Sequence, residues 1–412
     1  MKLNYLFLTL ILLITYSCDT NDDNYETVQV ATPELMSKIE FRKQVEIIPP
    51  KPSVSETGKI YAYQDYIFVA EVNKGVQVIN NSNPKSPQAT AFIKIPANAD
   101  ISVKDNILYA DSATDLLAFD ISDISNITLI ERLEDVFEIY DYQVPEGVQV
   151  VDYFSFNYQE EIIVGWTITT ETRKKTNNIG PGTVFDGAVS NSPESTTGTG
   201  GSLARFQIVD NYLYAVGSNQ MAVFNIKNLK SPVLENTQYA GWSIETLFHA
   251  DGYLYLGSTH GMYIYSIETP SAPEFVSEFS HWQGCDPVVV DGDYAYLTLR
   301  GGNACGQLES VLEVIDVSKK ENPTLVGRYT LGNPYGLGIK ANTLFVCDGT
   351  SGLKLFDKTN PLSLKALDTF KDIQARDVIP LEKALLLIGN NTIYQYSYTD
   401  SGVELISSFT LN

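Results

Sequence analysis

Between His281 and Gln307 the chain reads HWQGCDPVVVDGDYAYLTLRGGNACGQ, which gathers one of three histidines and two of four cysteines with three aspartates. Such a group could be a metal site, a thiol active site or a covalent staple. Zinc fits poorly, because the C-x19-C spacing of Cys285 and Cys305 lacks the paired short spacings of a structural site and His281 alone does not complete four ligands. A catalytic thiol needs a depressed pKa and an adjacent base in a reducing setting, and nothing nearby supplies them. A Cys285–Cys305 disulfide is the preferred reading; closing a loop of that length contributes roughly 3 kcal/mol. Cys347, at the end of LFVC, is expected to be a buried small apolar residue. His260 and His281 near Asp286 or Asp348 could hold a metal, but surface histidines are common, so no metal and no cofactor is assigned. The chain contains no G-x-S-x-G elbow, phosphate loop, HExxH, CxxCH or twelve-residue calcium loop, which lowers the expectation of an enzyme without removing it.

What positions these residues is a repeat. A turn dipeptide precedes an aromatic-rich segment in DYIFVAE, DNILYAD, DNYLYAV, DGYLYLG, GDYAYLT, ANTLFVC and EKALLLI. The second turn residues Tyr66, Asn106, Asn211, Gly252, Asp293, Asn342 and Lys383 recur every 40 or 41 residues, except for one gap of 105 and one of 49. Four short strands can be read in each unit. Strand A is an apolar run ending in a hairpin turn, and strand B is the aromatic segment. Strand C reads VQVIN, LLAFD, MAVFN, MYIYS, LEVID, LKLFD or IYQYS, and a turn rich in Asn, Ser and Pro leads to strand D. Repeats of this length with four antiparallel strands are the blades of a β-propeller. An all-β propeller with seven blades is expected; an eighth, degenerate blade within the long insert at about 137–202 is the alternative.

The strand C segments, above all LEVIDV (Leu312–Val317), resemble the LVIVD-repeat propeller lipoproteins, and GTGGSLARF and GCDPVVVDGDYAYLTL are similar to that family as blocks. The resemblance runs from about Tyr25 to the C-terminus. It implies a propeller and an extracytoplasmic address, and it brings no catalytic residues.

The N-terminus carries its own address. Residues 1–17 place Lys2 ahead of the apolar run Leu6 to Ile14, which reads as a secretory signal too short to span a membrane. Cys18 at the cleavage point is the candidate lipidation site, although Thr15 stands where such signals usually carry Leu. An ordinary signal cleaved nearby is the alternative. The acidic DTNDDN that follows resembles a tag for the outer face of an outer membrane, so a surface-exposed outer-membrane lipoprotein is expected, with a periplasm-facing anchor as the other option. Two or more acyl chains would hold it, at ~0.8 kcal/mol per buried methylene. Residues 18–57 read as anchor, acidic tether, a short helix over Thr32 to Val45 capped by Thr32, and an extended connector, with the propeller over 58–412. Gly180 to Gly201 has the composition of a mobile loop. A net charge of −22 disfavours nucleic acid as a partner and leaves cations and basic proteins open.

Antiparallel order puts the A–B and C–D turns on one face and the D–A and B–C loops on the other. The second face receives both long excursions, so it is where binding is expected. Strand A lines the channel of a propeller, and aligning the units at its entrance gives Asp100, Arg205, Glu245, Asp286, Tyr335, Arg376 and Asp377, with His281 and Trp282 close in sequence. Mutual salt bridging that fixes neighbouring blades is the favoured reading of this ring. A polar ligand site is the sharper one. A binding scaffold for a protein or glycan is the expected function, and a channel-mouth hydrolase or lyase using Asp286, Asp377 or Glu245 as acid or base is the alternative.

Overall fold

The computed structural model describes residues 25–412 except 52, 55–56, 138–143, 146, 153–155, 175–198, 204, 282–286, 302–308, 401 and 412. Two compact units emerge: Met1–Met36 with Tyr142–Gly187, and Ser37–Asp141 with Ala188–Asn412. In the first, Tyr25–Ser37 is a strand between Val150–Val151 and Glu161–Lys174. The sequence pattern places a helix from Thr32; the helix α1 covers only Lys38–Arg42, capped by the Ser37 side chain. The difference is physical. The alternating Val28 and Val30 are buried as in a strand, and Pro33 lies two residues beyond the Val150–Val151 pairing, where it has no strand partner on that side among the described residues.

The second unit is a β-propeller. Among its described residues seven antiparallel sheets follow in order: sheet 1 (57–94), sheet 2 (101–133), sheet 3 (206–239), sheet 4 (244–280), sheet 5 (288–330), sheet 6 (337–370) and sheet 7 (377–410). Each is a meander A-B-C-D. The A–B hairpins turn through positive φ at Asp105, Asn106, Asp210, Asp251, Gly252 and Gly292, which explains the recurrent Asp-Asn and Asp-Gly pairs. Described residues of the insert pair elsewhere, as the strands Val150–Val151 and Glu161–Lys174 in the first unit and Thr199–Gly200 against sheet 1, rather than as a meander of their own.

The repeat motif has a mechanical reason. Strand C is covered on both faces, so apolar residues point both ways: in VLEVID, Val311 and Ile315 pack toward sheet 4, whereas Leu312 and Val314 pack toward sheet 6. Its last residue caps the C–D turn. Asn80, Asp120, Asn225, Ser266, Asp316 and Asp357 each accept from the amide two residues on, at 2.8–3.2 Å.

Seven apolar layers lie between consecutive sheets, the seventh between sheets 7 and 1. Buried strand B tyrosines pin these layers: Tyr109 Oη donates to Leu229 O and Tyr214 Oη to Pro270 O, both at 2.7 Å, each in the C–D turn of the next sheet. Among the described residues no strand is exchanged to join sheets 7 and 1. Side chains do it instead: Asn81 and Gln395 exchange amide hydrogen bonds at 3.0 and 2.7 Å, Val54 N donates to Leu411 O, and Asn391 bridges Thr57 and Val54. The connector is held as well. Glu46–Ile48 extends sheet 1 beside strand D, and α1 is fastened to sheet 2 by Arg42, whose guanidinium grips Asp115 at 2.8 and 2.9 Å.

Gln395 is 1% exposed, so Gln395→Ala strands its Asn81 partner at the closure and is expected to cost about 1–3 kcal/mol in urea unfolding. Lys365→Ala on an exposed strand D should stay within about 0.5 kcal/mol. Equal midpoints for the two variants would refute this account of closure.

Candidate functional site at the channel mouth

Among the entrance residues, Asp100, Arg205, Arg376 and Asp377 make contacts that stay within the protein. Asp100, 1% exposed, accepts from its own Ile101 N through Oδ1. Its Oδ2 accepts from Arg205 N and Phe206 N of sheet 3 at 2.7 and 2.9 Å and lies 3.3 Å from Lys59 Nζ of sheet 1. One carboxylate thus ties three neighbouring sheets. Burial pulls the Lys59 ammonium down to about 8, with Asp100 opposing. Asp111, on strand B of sheet 2, accepts through Oδ1 from Ala99 N, Asp100 N and Asn98 Nδ2 at 2.7–2.9 Å, and burial still pushes it up to about 6.

On the far side Arg376 Nη1 donates to Thr57 O at 3.1 Å, which adds to the closure of sheets 7 and 1. Asp377 is 1% exposed; its Oδ1 accepts from Val378 N, the Ser202 amide also bonds the carboxylate, and burial pushes it up to about 7. Glu245 is buried at strand A of sheet 4. Tyr335 has the Arg300 guanidinium 4.3 Å above its ring.

The centre is filled by the chain itself. Thr199–Gly200 pairs with Ala62 and Tyr61 on the free edge of strand A of sheet 1, and Ser202 Oγ accepts from Leu337 N of sheet 6 at 2.8 Å. Gly201, Ser202 and Leu203 are buried. Gly201 is required by contact: a Cβ there would lie 2.1 Å from both oxygens of Asp377, and one on Gly336 would lie 2.2 Å from Oδ1. The end of the segment expected to be a mobile loop is therefore a plug that crosses from sheet 1 to sheets 6 and 7. Sequence reading missed Lys59, Asp111 and the plug. The signal for the last was the glycine pair itself, next to a strand A.

The remaining expectations divide. Cys18, Trp282, Cys285, Asp286 and Cys305 lie outside the described residues. Cys347 is buried and free, and burial raises its thiol. His281 is half-buried; its amide donates to His260 O at 3.1 Å, its ring lies 6.3 Å from Phe279, and it faces the buried Glu313, whose pKa burial raises. His260 Nδ1 is 2.8 Å from Thr259 Oγ1. Among the described residues no three His, Cys, Asp or Glu side chains are grouped to hold a metal.

Beside the ring, a cavity of about 70 Å³ opens between sheets 2 and 3, lined by Asp100, Asp111, Arg205, Phe137, Phe206 and Val216 among others. The two rings lie 6.1 Å apart.

These features define a repeat β-propeller in which the segment Thr199–Ser202 bridges strand A of sheet 1 to sheets 6 and 7. Its sequence carries the LVIVD repeat at residues 56–91, 97–135 and 285–331, which is consistent with an LVIVD-repeat β-propeller family. No curated protein matches the sequence. Among solved structures, the periplasmic gluconolactonase of Pseudomonas aeruginosa superposes with a TM-score of 0.54 at 10% identity, over 86% of this chain and 96% of that one. A candidate 6-phosphogluconolactonase from Bacteroides fragilis gives 0.54 at 9% identity over 87% and 96%, and a protein from Lactobacillus plantarum 0.53 at 12% over 86% and 96%. At these identities the likeness is one of fold.

Because Asp377 titrates near 7 when folded and near 3.8 when unfolded, the folded state binds the extra proton between those values, and stability falls as pH rises through that window. Asp377→Asn removes the group while keeping its shape. Its stability relative to the parent should rise steadily from pH 4 to pH 8 in denaturant titrations; a constant difference would contradict the buried, raised carboxyl.

Proposed function

We propose that the protein is a lipid-anchored, extracytoplasmic β-propeller that serves as a binding scaffold for a protein or glycan at the cell envelope, using its loop-rich face rather than its channel. The observation that carries this reading is the plug. The place where a channel-mouth enzyme would hold substrate is occupied by Thr199–Leu203, and Asp100, Arg376 and Asp377 are bonded to backbone groups of neighbouring strands or of the plug. An acid or base needs reach to a substrate, and a carboxyl packed against Gly201 and Gly336 has none. The loop-rich face keeps solvent-facing features: Trp242 is 59% exposed in the D–A link before sheet 4, and Asp111 and Asn73 stand at the rim of the 70 Å³ cavity. Interaction loops on a rigid scaffold are a common division of labour.

The lactonase names attached to two structural neighbours suggest the competing reading, a hydrolase. It asks for a pocket of several hundred Å³ that buries a sugar. Purified protein offered sugar lactones should show hydrolysis no faster than buffer. A rate that Asp377→Asn abolishes without loss of folding would instead establish an enzyme. A screen of envelope glycans and secreted proteins for thermal stabilisation is the positive test of the scaffold.

The anchor rests on the N-terminal pattern around Cys18. In a diderm host, Cys18→Ala should move the protein from the membrane fraction to the soluble fraction, read by immunoblot after fractionation. Membrane retention of that variant would reject lipidation at Cys18.

A further inference from the structure

Six of the seven arginines have their contacts within the protein. Arg42, Arg132, Arg173 and Arg328 lie against carboxylates, Arg376 donates to the Thr57 carbonyl, and Arg205 is buried at the strand A entrance of sheet 3. Arg300 differs. It follows strand B of sheet 5, in the B–C loop of the loop-rich face, and its guanidinium lies 4.3 Å from the centre of the Tyr335 ring. Among the described residues it makes no hydrogen bond and no ion pair; its Nε is buried, and its two Nη groups are left to solvent.

The ring beneath it is held firmly. Tyr335 N donates to Cys347 O at 2.7 Å, and Tyr335 O accepts from Thr298 Oγ1 at 2.6 Å. Gly349, at φ +51°, packs against the ring so closely that a Cβ would lie 3.0 Å from Cε2. The cation therefore rests on a fixed support, which lowers the ordering cost of binding to it. Other polar groups beside the pair have capacity to spare. Tyr335 Oη accepts from Asn333 Nδ2 at 3.4 Å and Ser310 Oγ accepts from Gly301 N at 3.1 Å, so each hydroxyl keeps a proton to donate. Asn333 Oδ1 accepts no hydrogen bond among the described residues. We propose that Arg300, seated on Tyr335, binds the carboxylate of an acidic sugar unit in an envelope glycan, with Asn333, Ser310 and the Tyr335 hydroxyl meeting the sugar's own hydroxyl groups.

The chemistry selects this class over others. The two Nη groups of a guanidinium form a planar fork that matches the two oxygens of a carboxylate. The acids placed next to the site have cations of their own: Glu309 faces Arg328 at 3.6 Å, and the buried Asp348 faces Lys354 at 2.6 Å and accepts from Gly332 N and Asn333 N. A metal ion or an ammonium would meet Arg300 as a like charge. The net charge of −22 repels closely spaced acids such as a polyphosphate, whereas an isolated carboxylate is tolerated. Spare donors together with a spare acceptor suit hydroxyl groups, which both donate and accept; the acidic side chain of a peptide would use the guanidinium alone.

This site rests on the scaffold reading for its biological meaning, and it can be tested without the natural glycan. The probe is methyl β-D-glucuronoside, titrated into the full mature protein at low ionic strength and followed by ligand-observed NMR. Its carboxylic methyl ester is the uncharged control of the same shape. Saturable binding of the glucuronoside is expected, about tenfold or more tighter than that of the ester, the loss of one charge-assisted pair. Arg300→Gln should weaken the glucuronoside by about the same factor and leave the ester unaffected, with its fold checked by thermal unfolding. The ester comparison uses the unmodified protein, so the test stands even if that variant does not fold. Equal affinity for acid and ester, or no effect of Arg300→Gln in a folded variant, would overturn the site. Nα-acetyl-glutamate methylamide binding as tightly as the glucuronoside would make the partner an acidic peptide and overturn the glycan assignment. Failure of the scaffold reading would show itself differently, as lactone hydrolysis by a protein that still binds the glucuronoside.

Discussion

Each sheet of this propeller can bury its two faces only against its neighbours, and that constraint governs the rest. Seven apolar layers replace a single core, so no sheet is stable at the end of an open row. The layer between sheets 7 and 1 therefore has to form between the two ends of the unit, without a shared strand to enforce it. The clasp of Asn81 with Gln395, Asn391 with Thr57 and Val54, and Arg376 with Thr57 O acts at this seam. Amide and guanidinium bonds suit the task because they fix direction, which apolar contact alone does not.

The channel follows from the same geometry. Strands A of successive sheets meet at the axis, where backbone groups and charged entrance residues crowd together with little water to solvate them. Burying carboxylates there is costly unless donors surround them. Asp100 meets the condition with three amides and Lys59; Asp377 meets it less completely, and its carboxyl responds by holding its proton up to about neutral pH. The plug joins this balance. It adds a Ser202 amide to Asp377, gives Leu337 N an acceptor and supplies strand A of sheet 1 with a partner on its inner edge. Filling the axis with chain satisfies polar groups that an open channel would leave to water.

What was legible in the sequence was what depends on local period. The strands of LEVID and its relatives, the Asp-Gly hairpins and the capping Asn or Asp at the end of strand C are decided within a few residues, and they stand where the pattern placed them. The entrance residues were legible because the units place them six or seven positions before the second turn residue, which is how Asp100, Arg205, Glu245 and Asp377 were singled out. Lys59 sits at the same offset, seven before Tyr66, in the one unit left out of the alignment, whereas Asp111 escaped because it lies on strand B and reaches Asp100 by contacts within its own sheet. The helix near the N-terminus was misjudged in extent, since Thr32-Pro33 has the form of a helix start while the strand pairing that overrides it comes from residues more than a hundred positions away. The plug escaped for the same reason. GTGGS has the composition of a solvated loop, and only Asp377 and Leu337, more than 130 residues further on, make its glycines necessary.

These two layers of information bear on function in opposite directions. Residues that the repeat places in register are mostly consumed in holding the ring, as Asp100 and Arg376 show. Asp111, by contrast, lies off that register, beside a cavity lined by Phe137 just after sheet 2. In a scaffold built from equivalent units, a ligand site needs what the repeat does not supply, because seven matching surfaces would give no single address.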